Sequence, residues 1–371
     1  MVLQPAEVAA DLGAALLEKS KYEKRNNQPG DSLQHRAASL ESIEQALKLQ
    51  PNYPAAVFNR ALCLQEMYLP RQAIEEWKKY LQLDSNSKWA EEARRRLEEL
   101  EKAPSKISLN DDQLYQEYLK DPTNDERTFD LFCQSYSTTG NGITERLIDD
   151  LLDAKQSNNQ AEAAYKLQLL EKLGSLIYQR TTDPYVRDVA RYYRQVTPSR
   201  QTLLVKARYH LNEGRKLRST SQSKAAAKYG LAISFFRQAN DDCEMWMAHY
   251  LLGRSHLWQS NWRESLGLFT ATITSANQYL WLRGESLNGV AIYHDGQGQL
   301  NSSIEHSLQS LFLAKQLHNT NLTINSLGSL ANVYSKIGNW EQVLLYRQQA
   351  YELLSQKADG SQILAINMGL A

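Results

Sequence analysis

The chain has 371 residues, 42% hydrophobic and 23% charged, with 42 basic residues balanced by 42 acidic ones. That balance excludes attraction to nucleic acid or an acidic membrane surface through net charge alone, and the length suits two or three globular domains or one long repeat array. No window approaches 18 consecutive apolar residues, and Met1 to Glu7 lacks a basic n-region and an unbroken apolar run, so neither a membrane helix nor an ordinary signal peptide is expected. The three scattered cysteines, Cys63, Cys133 and Cys243, fit a reduced, cytoplasmic setting.

In chain order, nine prolines and the lack of long alternating apolar runs predict helices throughout. Val8 to Lys24 reads as an amphipathic helix ended by Asn26-Asn27-Gln28-Pro29-Gly30-Asp31, and Leu33 to Leu49 as a second, stopped at Pro51. Ala55 to Tyr68 and Pro70 to Leu83 form the clearest early pair, with Ala61 at a small position and Ala73-x-x-x-Trp77 as notch and filler. Ser85-Asn86-Ser87 then caps a charged helix, Lys88 to Lys102, where Glu91/Arg95 and Arg94/Glu98 suit a solvated end.

Ala103-Pro104-Ser105-Lys106 marks an expected boundary. Beyond it, Asp111–Leu119, Asp125–Tyr136, Ile143–Lys155, Ala161–Arg180 and Pro184–Gln195 read as irregularly spaced helices, with Thr138-Thr139-Gly140-Asn141-Gly142 as the most flexible-looking loop. A long helix from Ser199 to about Leu217 leads to Ala232-x-x-x-Phe236-x-x-Ala239, where regular repetition begins. Three segments there share one pattern: Ser260-Asn261-Trp262-Arg263-Glu264, Gly298-Gln299-Leu300-Asn301-Ser302 and Gly338-Asn339-Trp340-Glu341-Gln342. Each is a tight turn opening a helix, with Trp262, Leu300 and Trp340 spaced by 38 and 40 residues. Seven residues before each segment stands a small residue, Gly253, Ala291 or Ala331, and the same step forward finds Gly369. Antiparallel helices cross closely only where one offers such a notch, which Ser265-x-x-x-Phe269 fills. Close packing accounts for Gly253; nothing in the sequence accounts for Gly289.

The Leu-Gly-x-x-Tyr and Ala-x-x-x-Phe halves of this pattern resemble the tetratricopeptide repeat (TPR), with a unit longer than the usual 34 residues. The expected fold is therefore all-α, a TPR-type helical-hairpin solenoid wound as a right-handed superhelix with an irregular helical middle. The expected divisions are 1–103, N-terminal hairpins; 104–198, irregular middle; and 199–371, an array of 38–40-residue repeats cut within a repeat at Gly369-Leu370-Ala371, which implies a longer natural protein. The stretches Ala55–Leu62, Trp77–Asp84 and Ser87–Leu97 also resemble the N-terminal region of bacterial CHAT-domain proteins, in which helical repeats precede a caspase-like protease domain. That resemblance places the catalytic His and Cys in a domain absent from this chain, so no catalytic residue is carried over, and the chain is expected to be no enzyme itself.

Candidate chemistry is sparse. Each cysteine reads as a small buried hydrophobe, and the seven histidines show no metal-ligand spacing, so no cofactor and no metal are expected. Gly140-Asn141-Gly142 lacks the Lys-Ser/Thr of a phosphate loop, and the acids Glu145, Asp149, Asp150 and Asp153 read as a charged helix face. The charge is segregated: Asn110–Asp153 holds eleven acids against three bases, and Tyr178–Lys228 twelve bases against three acids, with interleaved tyrosines. The basic stretch supports an alternative role as a nucleic-acid-responsive module, with Arg187, Arg191 and Arg194 binding anions, but the acidic segment offers an internal partner and nucleic acid is disfavoured. The TPR resemblance instead places a partner groove on first-helix positions, where Tyr250, Arg254, Asn288, Asp295, Asn325 and Asn332 would meet a peptide or protein; Asn side chains suit an extended backbone and Arg254 a carboxylate. The expected function is a non-catalytic protein-interaction scaffold, the sensing part of a CHAT-protease-type protein.

Overall fold

The computed structural model describes residues 4–25, 29–66, 70–102 and 109–357. The expected boundary at Ala103–Lys106 and the small position at Gly369 lie outside these residues. The described residues form 18 helices and one short hairpin. In chain order these are α1 (Pro5–Arg25), α2 (Pro29–Leu49), α3 (Pro54–Glu66), α4 (Pro70–Leu83), α5 (Lys88–Lys102), α6 (Asp111–Lys120), α7 (Asp125–Gln134), β1 (Tyr136–Ser137), β2 (Gly140–Asn141), α8 (Gly142–Gln156) and α9 (Gln160–Thr181). There follow α10 (Tyr185–Arg194), α11 (Pro198–Leu217), α12 (Gln222–Ala239), α13 (Asp242–Trp258), α14 (Trp262–Ser275), α15 (Leu280–Gly296), α16 (Leu300–Gln316), α17 (Thr320–Ile337) and α18 (Trp340–Lys357). Consecutive helices pack mainly as hairpins, so the all-α helical-hairpin fold expected from the repeats is the one observed. The chain divides into two compact units, Met1–Ser108 with Tyr334–Ala371, and Leu109–Val333.

In the first unit, Phe58 is ringed edge-on by Trp77, Tyr80 and Trp89 at centroid distances of 5.0, 5.1 and 5.2 Å. Ala61, Ala73 and Trp77 are all fully buried, so the α3–α4 pair has its expected notch and filler. Ser39 Oγ donates to Gly13 O at 2.7 Å where α1 and α2 cross, and Arg36 on α2 reaches Gln348 on α18 at 3.3 Å. Ser87 caps α5 as expected, but Arg95 pairs with Glu92 at 2.7 Å and Glu99 at 2.5 Å rather than with Glu91.

The repeat turns, two in the second unit and one in the first, behave as their sequences require. Ser260, Gly298 and Gly338, the first residues of the three matching segments, have φ of 59°, 72° and 79°. Glycine adopts that left-handed conformation freely; Ser260 does so at a cost of about 1 kcal/mol. A Cβ added at Gly253 would lie 2.9 Å from Cε1 of Phe269, and one at Gly289 would strike the opposite edge of the same ring more closely still. One phenyl ring from α14 is thus clasped between glycines of α13 and α15, which explains both Gly253 and Gly289.

The segment 135–142 departs from expectation. The helix expected to run to Tyr136 stops at Gln134, and the expected flexible loop is instead a hairpin in which Tyr136 opposes Asn141 and Ser137 opposes Gly140. Asn141 fixes both ends: its Nδ2 donates to Phe132 O at 2.9 Å, and its Oδ1 accepts from the Thr144 N–H at 3.2 Å, capping α8. Tyr136, Gly140 and Asn141 are buried.

Candidate functional site

Three first helices of the second unit, α11, α13 and α17, present donors to the main chain of this hairpin. Arg215 Nε donates to Thr139 O at 3.1 Å, Arg254 Nη1 to Thr138 O at 2.6 Å, and Asn321 Nδ2 to Tyr136 O. Arg218 Nη1 adds a bond to the Thr138 hydroxyl at 3.2 Å. Behind Arg254, the Tyr250 hydroxyl accepts from its Nη1 at 3.3 Å and donates to Glu285 Oε2 at 2.6 Å. Burial pushes Glu285 above the ordinary carboxylate range, opposed by Arg254 and the Tyr250 bond. These are side chains reading backbone carbonyls, the chemistry by which a helical surface holds an extended segment irrespective of its sequence.

The expected groove residues therefore divide. Tyr250 and Arg254 meet the chain's own hairpin, directly in the case of Arg254. Asn288 is buried and its Oδ1 accepts from Ser329 Oγ at 3.0 Å, tying α15 to α17. Asp295 and Asn325 are half-buried and Asn332 is exposed.

The anion-binding candidates lie on α10 and its surroundings. Arg187 stacks on Tyr178 at 3.6 Å, Arg191 pairs with Asp188 at 3.3 Å, and Arg194 with Glu171 at 2.5 Å. Their charge is matched locally, and α10 turns Val186, Val189, Ala190 and Tyr193 into the core.

Sequence reasoning missed the densest polar cluster. Arg208, 2% exposed, lies among three carboxylates: Glu145 Oε2 at 2.6 Å, Asp149 Oδ1 at 2.7 Å and Glu244 Oε1 at 2.5 Å. Arg215 shares Glu145 at 2.9 Å, and Tyr193 donates to Glu244 at 2.5 Å. Burial disfavours the Glu145 charge, but Arg215 and Arg208 outweigh it and hold the carboxyl below its ordinary range; burial raises Glu244, opposed by Arg208. Of the α8 acids expected to form a charged helix face, Asp153 is exposed, but Glu145 and Asp149 face Arg208, and Asp150 accepts from Lys166 at 2.8 Å. The readable signal was the near-equal and opposite charge of 110–153 and 178–228, whose pairing is realised by Arg208, Arg215 and, at the surface, Arg180 with Glu126.

A second missed residue is Asp183. Its carboxylate accepts from the N–H of Tyr185 at 2.9 Å and of Trp281 at 2.8 Å, so it stands at the N-termini of α10 and α15 together. Burial raises its pKa to about 6 against these bonds. Beside it Phe132, Tyr136, Tyr185 and Trp281 line a cavity of about 10 Å³, room for roughly one water.

Two of the three thiols, Cys63 and Cys243, are buried where they are poor nucleophiles. Burial pushes Cys63 up to about 11 and raises Cys243, which contacts the Tyr279 hydroxyl at 3.1 Å. Among the described residues no group of three His, Cys, Asp or Glu is arranged to hold a metal ion, and no helix is long and apolar enough to cross a membrane.

Among solved structures the chain is similar to yeast Tom70, at 14% identity over 97% of this chain and 96% of that one, with a TM-score of 0.27. It is similar to the TPR domain of P58(IPK) at 13% identity over 96% and 99%, with a TM-score of 0.29. A third similar structure is the Cut9–Hcn1 hetero-tetramer of the APC/C, at 13% identity over 90% of this chain and 79% of that one, with a TM-score of 0.24. No protein-family model and no curated protein matches the sequence. At these TM-scores the likenesses carry no functional weight, and the helical-hairpin fold rests on the packing described above.

Proposed function

We propose that this chain is a non-catalytic scaffold that binds an extended segment of a partner protein along the first helices of its C-terminal repeats. The observation that carries this reading is the grip of Arg215, Arg254 and Asn321 on main-chain carbonyls of the Tyr136–Thr139 strand and turn. Donors of this kind serve any extended chain, and the same helix faces continue with polar side chains at Asn325 and the exposed Asn332. The partner segment runs beside the hairpin rather than through it, since Arg254 and Tyr250 are already engaged. The high thiol pKa values of Cys63 and Cys243 support a non-catalytic role. The finer reading, a sensing arm coupled to a caspase-like protease domain, is supported by the likeness of residues 55–97 to CHAT-domain proteins and by nothing else.

A photoreactive residue placed at Asn325 or Asn332 in living cells tests the proposal. Both positions should crosslink to one and the same protein, while Gln309, exposed on α16, should not. Equal crosslinking from all three positions, or from none, would sink it. Identifying a protease or its activator as the crosslinked protein sharpens the finer reading; a partner with no such connection removes it.

A further inference from the structure

The hairpin turn gathers three guanidinium groups around two residues. Arg215 and Arg218, one helical turn apart on α11, and Arg254 from α13 donate to Thr139 O, Thr138 Oγ1 and Thr138 O at 3.1, 3.2 and 2.6 Å. Like charges brought so close repel unless carboxylates intervene. Arg215 has one, Glu145, at 2.9 Å. Arg218 and Arg254 make no ion pair among the described residues; their side-chain partners are the Thr138 hydroxyl, and the Thr138 carbonyl with the Tyr250 hydroxyl. The cost is visible at Arg218, whose pKa is lowered first by burial and then by Arg254. Arg254 is matched only at one remove, through Tyr250 to Glu285, a carboxyl that burial pushes toward its neutral form. Arg218 is exposed as a residue, so an ion can reach it from solvent.

We propose that this turn is a phosphate site, in which a phosphate group sits beside Thr138 Oγ1, held by the forks of Arg218 and Arg254 with Arg215 behind them. A phosphate monoester carries about −1.5 to −2 charges near neutral pH and three acceptor oxygens, matching two guanidinium groups that lack carboxylates. A carboxylate supplies one charge and leaves the second cation unmatched. Two sources share this chemistry. One is an ester on Thr138 itself, formed when the hydroxyl oxygen attacks the γ-phosphorus of ATP, its proton leaving to solvent and ADP departing. The other is a soluble phosphate or phosphate monoester bound without covalent change. The site stands independently of the partner-binding reading, because it is tested on the isolated chain.

Two arms separate the sources. In the first, the thermal midpoint of the full chain is followed as inorganic phosphate replaces chloride at constant ionic strength. In the second, phosphothreonine is installed at position 138 by genetic code expansion and the midpoint is read without added phosphate, together with amide exchange across 136–141. A rise with free phosphate assigns a soluble source; a rise with slowed exchange only in the esterified protein assigns the modification. In either case Arg218→Gln should weaken the effect about tenfold, the loss of one charge-assisted fork. Without phosphate, Arg218→Gln should be at least as stable as the parent, because it removes repulsion. No response in either arm, a response that Arg218→Gln leaves intact, or a marked fall in the midpoint of phosphate-free Arg218→Gln would overturn the proposal, the last by making Arg218 a structural donor to the hairpin.

Discussion

Two regions of the second unit solve the same problem with opposite means. Between α13 and α15 the helices meet mainly by shape: the Phe269 ring, fully buried, fills a slot made by Gly253 and Gly289, and one buried hydrogen bond, Tyr250 to Glu285, accompanies it. Between α8, α11 and α13 they meet by charge: Arg208 gathers Glu145, Asp149 and Glu244. Shape complementarity needs only local residues at a fixed spacing and so can repeat along the chain. A buried ion cluster needs every member at once, because each charge taken from water is costly until its partners arrive. The regular part of the unit is thus tolerant of graded change, and the irregular part should fail in steps.

The largest test of this contrast is Arg208→Met. It leaves carboxylates buried without their cation, and urea unfolding should show a loss of about 3–5 kcal/mol. Adding Glu244→Met should recover part of that loss, since both sides of the pair are then apolar; a single substitution costing under about 1 kcal/mol would break the comparison.

Next is the pH dependence of Asp183. Its folded pKa, about 6, is above the ordinary carboxylate value, so the folded state binds the proton more tightly than the unfolded one. The resulting stability is fully present below about pH 4 and is lost as pH rises through 6, an effect of about 3 kcal/mol. The unfolding free energy of the parent should therefore fall relative to that of Asp183→Asn as pH rises across that window, and only there. A difference that does not change with pH there would refute the assignment.

Gly289→Leu should cost about 1–3 kcal/mol by overpacking against Phe269, and Gly253→Leu a similar amount. The sharper result is non-additivity: Phe269→Ala vacates the slot, so the double variant Gly289→Leu/Phe269→Ala should be more stable than the sum of the single changes allows. Strict additivity would mean that the ring does not mediate the crossing. The smallest effect is expected for Arg194→Ala. Its pair with Glu171 is exposed, and denaturation should register less than about 1 kcal/mol, weaker still in high salt.

How far the sequence could be read follows the same division. Trp262, Leu300 and Trp340 mark their helices because a repeat writes its packing into local spacing, and the left-handed turns at Ser260, Gly298 and Gly338 fall where that spacing places them. Gly289 was visible as an anomaly without a cause, since its partner Phe269 belongs to the preceding helix hairpin. The hairpin at 136–141 was misread as a flexible loop because Ser, Thr, Gly and Asn look solvated until their partners are known, and those partners lie on α11, α13 and α17. Charge segregation hinted at the Arg208 cluster but could not say which acids turn inward. The proposed groove was legible as a set of positions; that Arg254 already holds Thr138 was not.

The bond from Asn321 to Tyr136 O spans 185 residues, and that from Arg254 to Thr138 O spans 116. Arrays of helical hairpins ordinarily assemble from neighbour to neighbour, so that any stretch can nucleate and its ends can fray separately. Here a two-stranded clasp near the start of the unit finds its last donor, Asn321, only after α17 has begun to be synthesised. Such distant closure slows the search and couples the ends, since loop entropy must be spent before the contact returns anything. The second unit should therefore unfold in one transition despite its repeated helices, and during synthesis the hairpin should remain exchangeable until the last of its helices has emerged.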